Sequence, residues 1–289
     1  MRSIALINQK GGVGKTTTTV NLGASLAALG KRVLLIDMDP QASLTSWLLG
    51  PASESLEETV AEVLQGEARL ADLVSRTGFD GLDLVPADLR LTGIERTLSG
   101  EIGGETVFRR ALEDAKFSPV PGDSDFDLYD YILVDCPPSV GMLTVNVLVA
   151  VTEVIIPVQA HVLSLNGVAG LKQVVEVIQS RLHPELEITG LLLAMVNRRT
   201  RLAREVEESA RSHFGDLVFR QTIRESVRLA ECPSHFVPVH KYAPGTPASE
   251  DYFKFAEEVI SGEEDLEDFD IPDIALPEEL LYGGKASHG

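Results

Sequence analysis

A glycine-rich segment near the start of the chain has the residue types and spacing of a phosphate-binding loop. It reads Q-K-G-G-V-G-K-T-T over residues 9–17 and directly follows a short apolar run at residues 4–7. Glycines let the backbone turn tightly, so that successive N–H groups point at a phosphate chain, and a helix that starts there directs its positive end to the same place. The predicted phosphate contacts are Gly11, Gly12, Val13, Gly14, Lys15, Thr16 and Thr17.

Three positions in this segment indicate which kind of loop it is. Lys15 is placed to reach the β- and γ-phosphates of a nucleotide, and the Thr16 hydroxyl is placed to bind Mg²⁺. The pattern G-x-x-x-x-G-K-[ST] is not met, because Gln9 stands where its first glycine belongs and Lys10 follows. The segment instead has the deviant form K-G-G-x-G-K-[ST], which carries a second lysine. The alternative is a generic glycine turn in which Lys10 is only a solvated charge.

Carboxylates follow two later apolar runs. Residues 32–36 lead into D-M-D-P-Q at 37–41, and residues 131–134 lead into D-C-P-P-S at 135–139. Ligands bind at the carboxyl ends of strands in open α/β sheets. We therefore expect Asp135 to hold Mg²⁺ through water, and Asp39 to orient an attacking water or to assist the metal. Each aspartate could instead cap the helix that follows it, and for Asp37 the two interpretations are evenly balanced.

Predicted strands and helices alternate along the chain, and they must position these side chains. Strands are predicted at 3–8, 32–36, 82–85, 131–135, 153–157 and 189–196, and helices at 16–29, 56–64, 104–115, 140–150, 163–181, 201–214 and 248–261. This order predicts an α/β fold with a doubly wound, mostly parallel sheet flanked by helices. One P-loop domain is expected over residues 1–261. Residues 262–289 are acidic and contain prolines, which predicts a disordered tail.

The composition is typical of a cytoplasmic protein. A chain of 289 residues with 44% hydrophobic content can bury one large core. No segment approaches the roughly 18 to 20 uninterrupted apolar residues of a membrane span, and no signal peptide is expected, because the first apolar run leads straight into the loop. The two cysteines, Cys136 and Cys232, form no metal-ligand pattern, which favours reduced thiols.

Four segments together carry a family resemblance. They are Q-K-G-G-V-G-K-T-T-T, V-L-L-I-D-M-D-P-Q, Y-I-L-V-D-C-P-P-S and V-R-L-A-E-C-P-S-H, in that order along the chain. They resemble the ParA/MinD group of P-loop ATPases, and specifically its ParA/Soj-type partition ATPases, over roughly residues 3 to 260. The resemblance implies an ATPase that uses ATP, ADP and Mg²⁺, hydrolyses ATP slowly, and closes into an ATP-bound homodimer.

The resemblance also implies residue roles. Lys10, Lys15 and Asp39 are the catalytic set, with Lys10 crossing the dimer interface to the other subunit's nucleotide and Asp39 needed for hydrolysis. Thr17 contacts the α-phosphate. A cation supplied from a second subunit can neutralise charge during transfer, as an arginine finger does. The Mg²⁺ set is Thr16, Asp39 and Asp135.

Asn197 follows the sixth predicted strand. Its amide could hydrogen-bond adenine, and a role in a turn or a helix cap fits the sequence equally well.

DNA binding requires a local basic patch, because the formal net charge is −19. Partition ATPases bind DNA non-specifically through arginines in the region that follows the sixth predicted strand, and Arg199 and Arg228 stand at matching positions. The set implied here is Arg198, Arg199, Arg201 and Arg228, which would place the protein on the nucleoid. The alternative is pairing within a helix, since Arg201 with Glu205 and Arg204 with Glu208 have i,i+4 spacing.

The segments that bind ATP do not determine the cargo or the partner. A partition ATPase would act on a chromosome or plasmid through a ParB-like adaptor, whose basic N-terminal peptide an acidic surface would attract. A ParA-like positioning ATPase for a protein cargo fits the same segments. A MinD-like membrane regulator ends in a basic amphipathic helix, whereas residues 257–279 here hold eleven acidic residues and no lysine or arginine, so we expect no membrane binding. Iron–sulfur reductases of the nitrogenase type share the loop, but they require two cysteine ligands per subunit that face the dimer axis. Cys136 lies instead inside the Asp135 segment, which argues against that class.

Two departures from the family pattern concern the late part of the chain. Phe236 stands where a glycine commonly follows P-S-H, and Glu225 replaces a residue that is often basic. They bear on partner and DNA contacts and leave the ATP chemistry untouched.

Overall fold

The computed structural model describes residues 1–116, 128–159 and 162–262, with the backbone alone for residues 162–166. Of the tail predicted for residues 262–289, only residue 262 lies within these ranges.

One seven-stranded sheet organises the described chain. Its order is β3-β4-β2-β5-β1-β6-β7, and every neighbouring pair is parallel except β3 with β4. The strands are β1 (Arg2–Leu6), β2 (Val33–Asp37), β3 (Ser75–Phe79), β4 (Leu82–Val85), β5 (Tyr131–Asp135), β6 (Glu153–Gln159) and β7 (Glu187–Ala194). The predicted doubly wound, mostly parallel sheet is confirmed.

The helices cover both faces of this sheet. They are α1 (Lys15–Ala28), α2 (Ser43–Leu49), α3 (Val60–Gln65), α4 (Leu91–Leu98), α5 (Val107–Lys116), α6 (Met142–Ala150), α7 (Val162–Arg181), α8 (Arg201–Phe214), α9 (Val227–Glu231), α10 (Val239–Tyr242) and α11 (Pro247–Ser261). Within the described ranges, none of them combines the length and the apolar character needed to cross a membrane.

The core consists of two layers, one on each face of the sheet. Along β1, Ile4 and Leu6 belong to the layer that includes α1 and α11, whereas Ala5 and its neighbour Ile7 belong to the layer that includes α5 and α6. Side chains of a strand alternate between the two faces, so a strand covered on both sides is apolar throughout. This explains why β1, β2 and β5 each contain a continuous apolar run, which is followed by polar residues near the carboxyl end of the strand.

The sequence missed β3 and four short helices, α2, α4, α9 and α10. The strand β3 reads S-R-T-G-F and lies antiparallel at the sheet edge, with its residues half-buried or exposed. Its Arg76 pairs at 3.0 Å with Asp83 of β4. An exposed edge strand lacks an apolar run, and helices of four to eight residues are too short for a clear helical period.

A buried ion pair joins strands β1 and β6 to helix α11. The Arg2 Nε and Nη2 atoms lie 2.7 and 2.5 Å from the two carboxylate oxygens of Glu153. The Thr189 hydroxyl donates to the same carboxylate at 2.8 Å, and Arg2 also donates to the carbonyl of Val259. Only 12% of the Arg2 side chain and 10% of the Glu153 side chain are exposed. The pair therefore connects β1, β6, β7 and α11 in a region of low dielectric.

We expect Arg2→Leu to lower the free energy of unfolding by about 3 kcal/mol, because it leaves the Glu153 carboxylate buried without its cation. The matched control is Arg109→Leu, which breaks an exposed pair with Glu113 on α5 and should cost less than about 1 kcal/mol. Urea unfolding followed by circular dichroism measures both. Equal losses in the two variants would contradict the assignment of the buried pair.

Candidate nucleotide site

The loop between β1 and α1 has a backbone that only glycine adopts readily. Gly12 has φ +73° and Gly14 has φ +92°, both in the left-handed region. A Cβ atom added to Gly11 or Gly12 would meet no atom within 4 Å, so the space in front of the loop is open. Gly14 is the N-cap of α1 and provides no side-chain cap. The first N–H groups of α1 are therefore available to an anion.

Asn8 fixes the start of this loop, and the sequence analysis missed it. Its Nδ2 donates to the Pro157 carbonyl on β6 at 2.8 Å, and its Oδ1 accepts the backbone N–H of Lys10 at 3.0 Å. Asn8 is buried, whereas Lys10 is exposed. Within the described ranges, the Lys10 side chain has no ion pair. The signal in the sequence was an amide directly after an apolar strand.

Two threonines of α1 contact the carboxylate that ends β5. Thr16 donates its hydroxyl to Asp135 Oδ2 at 2.6 Å, and Thr19, one turn later on α1, donates to Asp135 Oδ1 at 3.2 Å. Asp135 is completely buried, and Lys15 is 7% exposed. Burial raises the pKa of Asp135, and the charge of Asp37 acts in the same direction. The hydrogen bond from Thr16 and the charge of Lys15 oppose this rise in pKa.

The donor set fits a magnesium-bound nucleotide. The Thr16 hydroxyl and the Asp135 carboxylate are oxygen ligands of the kind that Mg²⁺ prefers. No group of three or more His, Cys, Asp or Glu side chains is placed to hold a metal among the described residues. Mg²⁺ is usually held by one or two carboxylates together with phosphate oxygens and water, so such a group is not required. The buried Lys15 adds the positive charge that a phosphate chain needs.

Asp37 and Asp39 have different surroundings although only Met38 separates them. Asp37 is fully buried and lies opposite Asp135 in the β2–β5 pairing. It accepts the backbone N–H of Asp39 at 3.1 Å, and the N–H and hydroxyl of Thr45 at 2.9 and 2.7 Å. Asp37 therefore caps helix α2, one of the two interpretations left open by the sequence. Asp39 is partly exposed, and its carboxylate accepts the N–H of Gln41 at 2.9 Å.

Burial also raises the pKa of Asp37, and the hydrogen bonds from Thr45 oppose that rise. Two neighbouring carboxylates in one buried region thus both resist ionisation. A cation at this edge of the sheet would relieve that resistance.

A cavity of about 880 Å³ continues from the loop along the sheet edge. Its lining comes from four parts of the chain: Gly14 and Thr17 of the loop region, residues 194–199 from the last residue of β7 onward, residues 223–230, and the start of α11 with Tyr252. The Tyr252 hydroxyl lies 3.5 Å from the Thr18 hydroxyl, so α11 contacts the helix that follows the loop. The position beside the phosphate loop suits the nucleoside part of a nucleotide.

Asn197 and Met195, which follow β7, both line the cavity. Asn197 accepts the N–H of Arg199 on its Oδ1 at 3.2 Å and donates from Nδ2 to Glu225 at 3.1 Å. Its amide therefore forms a turn in this structure, and the adenine contact stays a prediction. Met195 has φ +55°, and its Cε lies 3.7 Å from a Cβ built on Gly14. This strained methionine, which the sequence analysis missed, covers the end of the phosphate loop.

Three of the four predicted DNA-binding arginines line the same cavity: Arg198, Arg199 and Arg228. Arg198 donates to the Thr222 hydroxyl at 3.1 Å. Arg199 is exposed, and its side chain has no ion pair within the described ranges. Arg228 forms an ion pair with Glu231 at 3.0 Å, which the sequence analysis did not foresee.

The fourth predicted arginine, Arg201, begins α8 and does not line the cavity. It pairs with Glu205 at 2.7 Å, so the intrahelical alternative is realised here. The other pair considered from the sequence, Arg204 with Glu208, does not form among the described residues. The charge available to a ligand is therefore concentrated on Arg198 and Arg199.

We expect Gly12→Ala to weaken binding of magnesium ATP by about ten-fold or more, because its Cβ would enter the space where a phosphate approaches the backbone. Gly66→Ala is a matched control. Gly66 has φ +75° and equally open surroundings, but it ends α3 and lies outside the loop.

Each alanine should lower stability without nucleotide by about 1 to 2 kcal/mol, because both must adopt a left-handed backbone. Calorimetric titration with a non-hydrolysable ATP analogue and Mg²⁺ measures the affinities. Wild-type affinity in Gly12→Ala would rule out phosphate binding at this loop.

Comparisons with known proteins agree with this geometry. Residues 1–188 match the AAA domain family. The sporulation initiation inhibitor protein Soj of Bacillus subtilis is 43% identical over 258 residues, which are 89% of this chain and 98% of that protein. The chromosome partitioning protein ParA of Caulobacter vibrioides is 42% identical over 92% of this chain and 96% of its own length.

A solved structure gives the same result for the fold. The crystal structure of cobyrinic acid a,c-diamide synthase from Mycobacterium smegmatis with bound ADP and magnesium has a TM-score of 0.76 and 32% identity, and covers 91% of this chain and 96% of that one. Similarity at this level over nearly the whole described chain, together with the deviant loop, confirms the resemblance drawn from the motifs. The chain belongs to the Soj/ParA family of chromosome-partitioning ATPases.

Proposed function

We propose that this ATPase segregates a chromosome or plasmid through an ATP-bound homodimer that binds non-specific DNA. ATP and Mg²⁺ bind at the loop, two subunits close around the nucleotides, and a ParB-like adaptor stimulates hydrolysis and release. The observation that supports the proposal best is the loop itself, where buried Lys15 and the Thr16–Asp135 contact lie beside an exposed second lysine, Lys10.

The nucleotide site contains the groups that ATP hydrolysis would use. Mg²⁺, once bound to the phosphates, supplies positive charge to oxygens that become more negative during phosphoryl transfer. Lys15 and the N–H groups of the loop hold the phosphate chain in line. Asp39 is partly exposed at the end of β2, where it can accept a hydrogen bond from an attacking water. Its carboxylate now holds Gln41, so it must exchange that contact to act.

A second subunit completes the site in this proposal. Lys10 starts the loop but is exposed and lacks an ion pair within the described part of its own chain. A lysine in that position can reach a nucleotide across an interface between two loops and stabilise the charge of the transferred group. ATP then joins the subunits and is also their substrate.

The DNA contact rests on the arginines beside the cavity. The protein as a whole is acidic, so binding requires local positive charge such as that of Arg198 and Arg199. Both lie close to the nucleotide cavity, at the end of β7, which would couple DNA affinity to the nucleotide state. The same acidity would attract a basic adaptor peptide and would repel an anionic membrane.

Arg199→Glu should abolish ATP-dependent binding to random-sequence DNA, because it reverses the charge of an exposed arginine that has no ion pair with any residue that the structure describes. Co-sedimentation is measured with ATP or ADP plus Mg²⁺ over a salt series. Wild-type binding should weaken as salt increases, since each phosphate contact releases counterions.

Arg109→Glu on α5 is the control for this experiment. It makes the same change in net charge at an exposed position that lies outside the cavity lining. Loss of DNA binding in the control alone, or wild-type binding in Arg199→Glu, would remove Arg199 from the DNA surface. No binding by the wild type, with ATP-dependent dimerisation intact, would favour positioning of a protein cargo.

Lys10→Ala should keep the ATP affinity of the monomer within about two-fold and lose ATP-dependent dimerisation, because Lys10 acts only across the interface in this proposal. Lys254→Ala on α11 removes another exposed lysine and should dimerise normally. Light scattering after size exclusion, with ATP or ADP, gives the oligomeric state. A dimer of Lys10→Ala with ATP would contradict the trans role.

A further inference from the structure

Thr45 is a buried polar residue on an otherwise apolar face of α2. It is 1% exposed and lies among the buried Leu44, Trp47 and Leu48. Its hydroxyl donates to Asp37 at 2.7 Å and accepts the backbone N–H of Ala87 at 2.9 Å. A buried hydroxyl that uses both its donor and its acceptor capacity fixes the groups on either side.

The groups that Thr45 fixes determine the path of the loop that carries Asp39. Asp37 accepts the N–H of Asp39, and the Asp39 carboxylate accepts the N–H of Gln41. Ala42, the N-cap of α2, has φ +50° and provides no side-chain cap. The cap comes instead from Asp37, which accepts the N–H of Thr45 in the first turn. The Asp37 carboxylate therefore holds the backbone of this loop both at Asp39 and at Thr45, in the first turn of α2.

The hydroxyl also connects this loop to the neighbouring strand. Ala87 follows β4, which pairs with β2. Without the hydroxyl, the Ala87 N–H loses its acceptor and Asp37 keeps two of its three donors. The helix itself has a second attachment, because the Trp47 indole donates to the Val237 carbonyl at 3.0 Å. Removal of the hydroxyl should thus loosen the Asp39 loop without releasing α2.

We propose that Thr45 is a positioning residue for ATP hydrolysis. It holds the Asp37 carboxylate against the end of β4, and Asp37 in turn holds the backbone of Asp39 at the distance from the phosphates that hydrolysis needs. This inference rests on the role in hydrolysis proposed above for Asp39. Thr45 is buried and is not among the residues that line the cavity beside the phosphate loop, so its loss should slow the chemical step and leave nucleotide binding intact.

The test compares Thr45→Val, which has nearly the same shape without the hydroxyl, with Thr45→Ser, which keeps the hydroxyl. Asp39→Ala is the reference for loss of the proposed catalytic carboxylate. Single-turnover hydrolysis of labelled ATP with Mg²⁺ gives the rate of the chemical step. Titration with a non-hydrolysable analogue gives the affinity, and fluorescence of Trp47, the only tryptophan of the chain, reports whether α2 remains packed.

We expect Thr45→Val to slow hydrolysis about ten-fold or more, because displacements of about 1 Å at a catalytic group have effects of up to a hundred-fold. Its nucleotide affinity and Trp47 fluorescence should match the wild type, and Thr45→Ser should recover most of the rate. Equal loss of rate and affinity in Thr45→Val would show a merely structural role and overturn the inference.

The roles of Asp39 and Thr45 can be rejected separately. Wild-type hydrolysis by Asp39→Ala would remove the role of Asp39 itself. A slow Asp39→Ala together with a fast Thr45→Val would remove only the role of Thr45. If Thr45→Val does not fold, Asp37→Asn tests the same connection, since an amide offers one acceptor oxygen in place of two. Normal hydrolysis by Asp37→Asn would then overturn the inference.

Discussion

Two fully buried carboxylates on neighbouring strands, Asp37 and Asp135, are the interaction on which the site depends. Burial and mutual repulsion raise the pKa of Asp135, and burial raises that of Asp37. Such groups are tolerated only where donors surround them. The chain supplies hydroxyls and N–H groups from α1 on one side and from α2 on the other. The hydroxyls of Thr16, Thr19 and Thr45 meet this requirement, and a cation bound at this edge of the sheet would stabilise the two carboxylates further.

Helix α11, the last helix of the described chain, also helps to form the site. Asp251 of α11 is buried and forms an ion pair with Arg224 at 2.6 Å, and Glu258 accepts the backbone N–H groups of Arg220 and Gln221. These contacts fix the segment between α8 and α9, which lines the cavity opposite the phosphate loop. The cavity thus joins the first seventeen residues of the chain to its last described helix. Residues near position 250 thus complete the cavity that begins at the phosphate loop.

The sequence predicted the parts of this site that local rules determine. The loop glycines, Lys15 and Thr16 follow from a motif, and Asp39 and Asp135 follow from the rule that ligands meet the carboxyl ends of parallel strands. Asn8 and Tyr252 were not foreseen, because their partners lie 149 and 234 positions away and no spacing reveals such pairs. The Arg228–Glu231 pair had a recognisable i,i+3 spacing, but α9 has only five residues and was not predicted as a helix.

Phe236 illustrates how a departure from the family pattern is accommodated. It has φ +58°, the left-handed conformation that explains why glycine is common at this position. A phenylalanine there costs about 1 to 2 kcal/mol of backbone strain. Its ring lies against Gly50, where an added Cβ would come within 3.1 Å of the Phe236 Cγ. Gly50 ends α2 with φ +55°, and the residue after Phe236 accepts the Trp47 indole.

The ring contact and the indole hydrogen bond both hold α2 at the end remote from Asp37. The side-chain contact that phenylalanine gains offsets part of the strain that glycine would avoid. The departure therefore changes how the C-terminal end of α2 is held. It leaves the N-terminal end, which Asp37 caps and which follows the Asp39 loop, in the arrangement that the buried Asp37 and Asp135 require.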